Sequence, residues 1–118
     1  MATPNILTAA NCVGKTYTTS LSSSTVTMIT NAASSNQLIK LNTILVSNFS
    51  SNVVSTNVIF NRNTVLTYLA GNVVIPANST LVVLGKDTPL YIEENDSIQS
   101  SCNVGSVTSF TCSYELIS

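Results

Sequence analysis

Three cysteines, five carboxylates and four tyrosines are the side chains of this 118-residue chain that could do chemistry, and no histidine accompanies them. Without imidazole, neither a Ser-His-Asp triad nor a Cys-His pair can be assembled, and no imidazole-ligated metal can be held. Cys12, Cys102 and Cys112 form an odd set without metal-ligand spacing. They read as small buried hydrophobes, the alternative being a sensor or an intermolecular bridge. Glu93, Glu94 and Asp96 crowd one turn, with Asp87 and Glu115 completing the acids. Glycoside hydrolysis needs two carboxyls facing across a cleft, typically about 5–9.5 Å apart. Aromatic platforms usually help it, and the chain has no Trp. The acidic cluster therefore reads as a solvated turn whose charges keep a strand edge from pairing. Its hard oxygens could suit calcium, but the turn lacks the ligand count of a recognised site. Tyr17, Tyr68, Tyr91 and Tyr114 fall mostly in strand candidates, where ring packing with the hydroxyl at the rim is expected. A carbohydrate platform is the functional alternative. No catalytic, cofactor-binding or metal site is predicted, and the chain is not expected to be an enzyme.

The segments that would position these groups are short and β-like. Residues 1–10 contain a proline and no period, and are predicted to be an arm or edge segment. Residues 11–118 are predicted to form one domain, an all-β antiparallel sandwich, jelly-roll-like, without substantial helix. TYTTSL and TVTMIT are rich in β-branched residues and are separated by a serine cluster. LIKLNTILVSN is the longest strand candidate. Strict alternation places Ile39, Leu41, Thr43 and Leu45 on one face and Leu38, Ile44 and Val46 on the other. A strand apolar on both faces needs cover on both, and one sandwich supplies one. Leu38, Ile44 and Val46 are therefore predicted to meet a neighbouring molecule, as is the arm residue set Pro4, Asn5, Ile6 and Leu7. On that reading a Val46→Asp change blocks assembly and leaves the domain folded. Further strands are expected over 53–61, 64–71 and the runs VVI, LVVL and LYI, each closed by turn residues. About nine or ten strands result.

The last two strands are predicted to form a hairpin. Ile98, Ser100, Cys102 and Val104 alternate, as do Phe110, Cys112, Tyr114 and Leu116. A loop Asn103-Val104-Gly105 with a left-handed glycine would set Cys102 opposite Ser106 and Ile98 opposite Phe110. Cys112 would then face Asp96, roughly 20 Å along the strand from Cys102, too far to bridge.

Charged residues are 8% of the chain and the net charge is -1, against about 25% charged in an average domain. Ser, Thr and Asn supply roughly two-fifths of the residues. No basic stripe exists to neutralise phosphates or an anionic membrane, so neither nucleic acid nor membrane is an expected partner. A surface of short hydroxyls and amides has little charge repulsion to keep copies apart, which suits a subunit of an assembly. The opening MATPNILTAANC has no basic region followed by a long apolar one, so synthesis in the cytosol is expected. The three Asn-X-Ser/Thr sequons read as accidents of composition.

The start MATPNI, the block NVVIPANSTLVVL, the hairpin LYIEENDSI and the ending SYELIS resemble small structural proteins of tailed bacteriophage virions. In those proteins an Ile-Pro-Ala turn precedes a Glu-Gly-Asp-Ser hairpin and a closing strand that ends near Tyr-Glu. Pro76-Ala77-Asn78-Ser79-Thr80, Glu94-Asn95-Asp96-Ser97-Ile98 and Tyr114-Glu115 match. Asn95 stands where that pattern has Gly, and Asn is the next most tolerant residue of a left-handed turn. The resemblance covers the last half of the chain and its first residues. It implies a virion component, a capsid decoration or cement subunit that binds between major capsid proteins and stabilises the shell. A homo-oligomer, with a trimer favoured, is implied as well. The alternative is a neck, tail or fibre-associated domain that contacts a host receptor or glycan.

Overall fold

The computed structural model describes residues 11–85, 87 and 89–118. The predicted arm, with Pro4, Asn5, Ile6 and Leu7, lies outside them. Nine strands and no helix are formed by the described residues: β1 (Cys12–Ser20), β2 (Val26–Thr30), β3 (Leu38–Asn48), β4 (Val54–Arg62), β5 (Val65–Ile75), β6 (Ser79–Leu84), β7 (Leu90–Ile92), β8 (Asp96–Cys102) and β9 (Thr108–Ile117). They make two antiparallel sheets. One has the order β1-β9-β3-β6, with β7 also on β3, and the other the order β2-β8-β4-β5.

The pairings are nested. β1 joins β9, β2 joins β8, β3 joins β6 and β7, and β4 joins β5. This is a long antiparallel ribbon rolled so that β9 also meets β3 and β8 also meets β4. The predicted antiparallel sandwich is therefore present, and its strand order is that of a jelly roll. The ribbon folds back at the β4–β5 turn, where Asn63 and Thr64 both have positive φ, 52° and 64°. Two such residues give the twist a two-residue hairpin needs.

The sheets close on a core that includes Leu41, Ile44, Val46, Val58, Ile98 and Phe110, all fully buried. Ile44 and Val46 were expected on a second, partner-facing face, and the structure corrects this. The register of β3 against β9 shifts between Leu41 and Thr43. An extra residue in a strand reverses its side-chain alternation beyond that point. Before the shift Ile39 and Leu41 face inward; after it Ile44 and Val46 do. The outward residues become Thr43, Leu45 and Ser47, all partly exposed. Leu38 is also buried, opposite Ile117 and outside the main core cluster.

The predicted hairpin of the last two strands is a second correction. β8 and β9 lie in different sheets, and the segment between them crosses the sandwich. Ile98 pairs with Phe60 and Ile29, whereas Phe110 pairs with Thr19 and Val46. Cys112 pairs with Tyr17 and Ile44. No described glycine has positive φ, and Ser106, at 65°, takes the left-handed position expected of Gly105. Alternation was read correctly for Ile98, Ser100 and Cys102 on β8 and for Phe110, Cys112, Tyr114 and Leu116 on β9, each strand packing inward from its own sheet, but Val104 lies beyond β8 and is exposed. In one further difference, VVI is not a separate strand. β5 runs through it, bending at a register shift where Asn72, with φ 50°, gives its N–H to Asn57 Oδ1 at 2.8 Å.

Candidate functional site

The charged side chains among the described residues gather toward the end of the sandwich where β3 begins. Arg62, the last residue of β4, pairs with Asp96, the first of β8. Its Nε donates to both Asp96 oxygens at 3.0 and 3.1 Å, and its Nη2 donates to Asp96 Oδ2 and Glu93 Oε2, each at 2.7 Å. The Glu93 N–H also donates to Asp96 Oδ2 at 3.0 Å. Arg62 stacks over the Phe60 ring, 5.1 Å from its centroid. The Asp96 hydrogen bond leads in holding the Arg62 pKa above its usual value, against a desolvation that opposes it. The acidic turn is thus only partly the solvated feature expected. Asp96 is buried and ties two strands together, while the Glu93 side chain is half exposed. Asn95, with φ 71°, does take the left-handed turn position.

Behind this turn, buried Asn31 donates from Nδ2 to the carbonyls of Gln37 and Ile92 at 2.8 and 2.9 Å. Asn31 and the turn also exchange backbone bonds, Asn95 N to Asn31 O and Asn31 N to Asp96 O. Glu94 Oε2 accepts the Asn36 N–H at 2.6 Å. These groups fasten the 31–37 and 93–95 loops to each other. No set of three or more Cys, Asp and Glu among the described residues could hold a metal ion.

At the opposite end a second buried amide does similar work. Asn48 closes β3, and its Nδ2 donates to the carbonyls of Asn52, Ile75 and Pro76 at 2.8 to 3.1 Å. Its Oδ1 accepts from Ser50 N and Oγ at 3.0 and 2.7 Å. Asn103 bonds Ser55 through both backbone and side chain, and Phe49 N donates to Val107 O at 3.2 Å. The loops at 49–53, 76–78 and 103–107 are held side by side in this way. Sequence reasoning missed this end. Its signals were faint: an Asn closing the longest apolar strand, and exposed hydrophobics, Phe49, Val53 and Val104, inside otherwise polar loops.

The cysteines are free thiols. Cys102 and Cys112 are buried, as expected of small hydrophobes, and Cys12 is exposed on β1. Burial pushes the Cys112 thiol up to about 11 from an ordinary 9.0. A thiol reagent at neutral pH is therefore expected to modify Cys12 alone in the native protein and all three on unfolding, as counted by mass spectrometry. Between about pH 9 and 11 the unfolded chain loses the Cys112 proton while the folded chain keeps it. Stability from this group is complete below that window and falls as pH rises through it, by at most ~3 kcal/mol. A Cys112→Val variant should flatten that part of a denaturation-versus-pH profile.

The structure does not bring the predicted partner residues together at a surface. Ile44 and Val46 are in the core and Leu38 is buried at the charged end of β3. Among the tyrosines, Tyr68 and Tyr91 are exposed, while Tyr17 and Tyr114 pack against the core. No family model, curated protein or solved structure matches this chain.

Proposed function

We propose that this chain is a non-enzymatic structural subunit of a bacteriophage particle, a decoration or cement protein that binds between major capsid subunits and stabilises the shell. The observation that carries this reading is the use made of the buried polar side chains. Asn31, Asn48, Thr56 and Ser100 give their donors to backbone carbonyls, and Asp96 accepts from Arg62 and a turn N–H. The groups that a binding or catalytic site would hold in reserve are committed to structure: Asn31, Asn48 and Asp96 anchor loops, and Thr56 and Ser100 join β4 to β8. What remains outside is a surface low in charge and rich in hydroxyls, suited to close contact with other subunits. Jelly rolls serve in viral shells and in lectins alike, so the fold alone does not choose between roles.

The subunit assembles in the host cytosol as a homo-oligomer, with a trimer favoured, and its partner is the major capsid protein. A second reading is favoured by the exposure of Tyr68 and Tyr91. It makes the chain a neck, tail or fibre domain that contacts a receptor or glycan. Imaging of the intact particle separates the two. Hundreds of copies over the shell are expected for a cement protein. A dozen or fewer at one vertex would move the chain to the neck or tail. A particle without the chain would end both readings. A glycan-array signal abolished by Tyr91→Ala would favour the second.

A further inference from the structure

The charged residues are segregated along the sandwich. Lys15 pairs with Tyr114, which pairs with Leu41; Lys40 pairs with Glu115 and Tyr91; Arg62 pairs with Asp96. Glu93 bonds Arg62 and Glu94 bonds Asn36. Asp87 falls between Leu84, which pairs with Ile44, and Leu90, which pairs with Leu41. Every charged side chain among the described residues thus belongs to the part of the molecule in register with the first half of β3 or its adjoining loops. The far end, built from the loops at 21–25, 49–53, 76–78 and 103–107, has none.

That uncharged end is also where apolar side chains are held out to solvent on anchored loops. Phe49, Val53 and Val104 are 56%, 59% and 45% exposed. The loops that carry them are joined by the Phe49–Val107 and Asn103–Ser55 bonds, and Asn48 pins 49–53 to Ile75 and Pro76. Asn78 adds a bond from its N–H to Ser50 O at 3.2 Å. Apolar groups on loops already ordered lose little conformational entropy on binding, which is the physical requirement of an anchor.

We infer that this uncharged end is the docking pole of the subunit, and that it inserts into a concave, uncharged apolar groove on another protein of the particle. The inference rests on the reading of the chain as a virion component. Three side chains on a loop tip fall well short of the roughly 800 Å² that each partner contributes to a stable interface. Two such tips meeting each other would bury still less, so the occupant is a groove that wraps the tip rather than a second copy of it. A membrane is disfavoured because the tip carries neither the basic residues nor the Trp and Tyr that hold proteins at the lipid interface. The absence of charge fits a groove that is itself uncharged, since no ion is desolvated on entry.

Hydroxyl-radical footprinting of the intact particle tests this. Mass spectrometry of the purified particle first establishes that the chain is present; if it is absent, the virion reading fails. With the chain present, Phe49 is expected to be oxidised severalfold more slowly in the particle than in the isolated protein, while Tyr68 keeps its rate. Rebinding of a Phe49→Ser variant to particles lacking the protein should weaken by about tenfold or more, with Tyr68→Ser unaffected. Phe49 labelling equally in both states, with Tyr68 or Tyr91 protected instead, overturns the inference and leaves the virion reading intact. It is likewise overturned if Phe49→Ser converts an isolated oligomer to monomer in sedimentation, or abolishes binding to phosphatidylcholine vesicles.

Discussion

Val46→Asp is expected to unfold the isolated protein at room temperature, whereas Leu45→Asp, one residue earlier, is expected to leave it folded. Val46 is fully buried among core side chains opposite Phe110. Its replacement removes apolar contacts and places a carboxylate where no partner is available. An unpaired buried charge together with lost core packing costs more than about 4 kcal/mol, a large share of the 5–15 kcal/mol that holds a domain together. Leu45 is outward-facing and partly exposed, paired with Thr111 and Val82. A carboxylate there stays in water and should cost no more than about 1 kcal/mol. Urea denaturation of the two variants reads the phase of the strand directly. If Leu45→Asp proved the more damaging, the register shift between Leu41 and Thr43 would be misplaced.

The second large effect concerns Arg62. Arg62→Ala is expected to cost about 3 kcal/mol and Asp96→Ala about 2 kcal/mol. The order follows from burial. Removal of Arg62 strands a carboxylate whose side chain is 3% exposed, while removal of Asp96 leaves a guanidinium that is 46% exposed and can be taken up by water. Asp96→Ala still costs something, because the Glu93 N–H loses its acceptor. The double variant should be little worse than Asp96→Ala alone, which gives a coupling of at least ~1.5 kcal/mol in a double-mutant cycle. Additive effects would mean that the two residues stabilise the ends of β4 and β8 independently.

The fold was largely legible in the residues because the relevant signals are local. β-branched runs, period-two alternation and turn residues identify strands one at a time, and the inward residues of β8 and β9 followed from alternation alone. Which strand lies beside which is a long-range matter that alternation does not encode. Ile98 and Phe110 both point to the core whether their strands form a hairpin or belong to opposite sheets. The face of Ile44 and Val46 was misread because Asn42 and its neighbours give no sign of the register shift, which arises from how β3 accommodates β9. Candidate chemistry was legible in part. The acidic turn was correctly located, but the partner that buries Asp96 is Arg62, far away in sequence and brought close by the β4–β8 pairing. The uncharged end could not be read, because Lys15, Lys40, Arg62, the acidic turn and Glu115 are scattered in sequence and come to lie toward one end only after rolling.

The nested pairing has a consequence for synthesis. Among the described strands, β1, the first to emerge from the ribosome, pairs with β9, the last of them to be made. β3, in the middle, likewise waits for β9 along its whole length. Until translation reaches Ile117, one sheet lacks its second strand, and Leu41, Ile44 and Val46 have no cover on that side. Contacts so distant in sequence close slowly, and nascent chains stalled before β9 are the species in which strand edges and apolar faces stand open to neighbours on the same message.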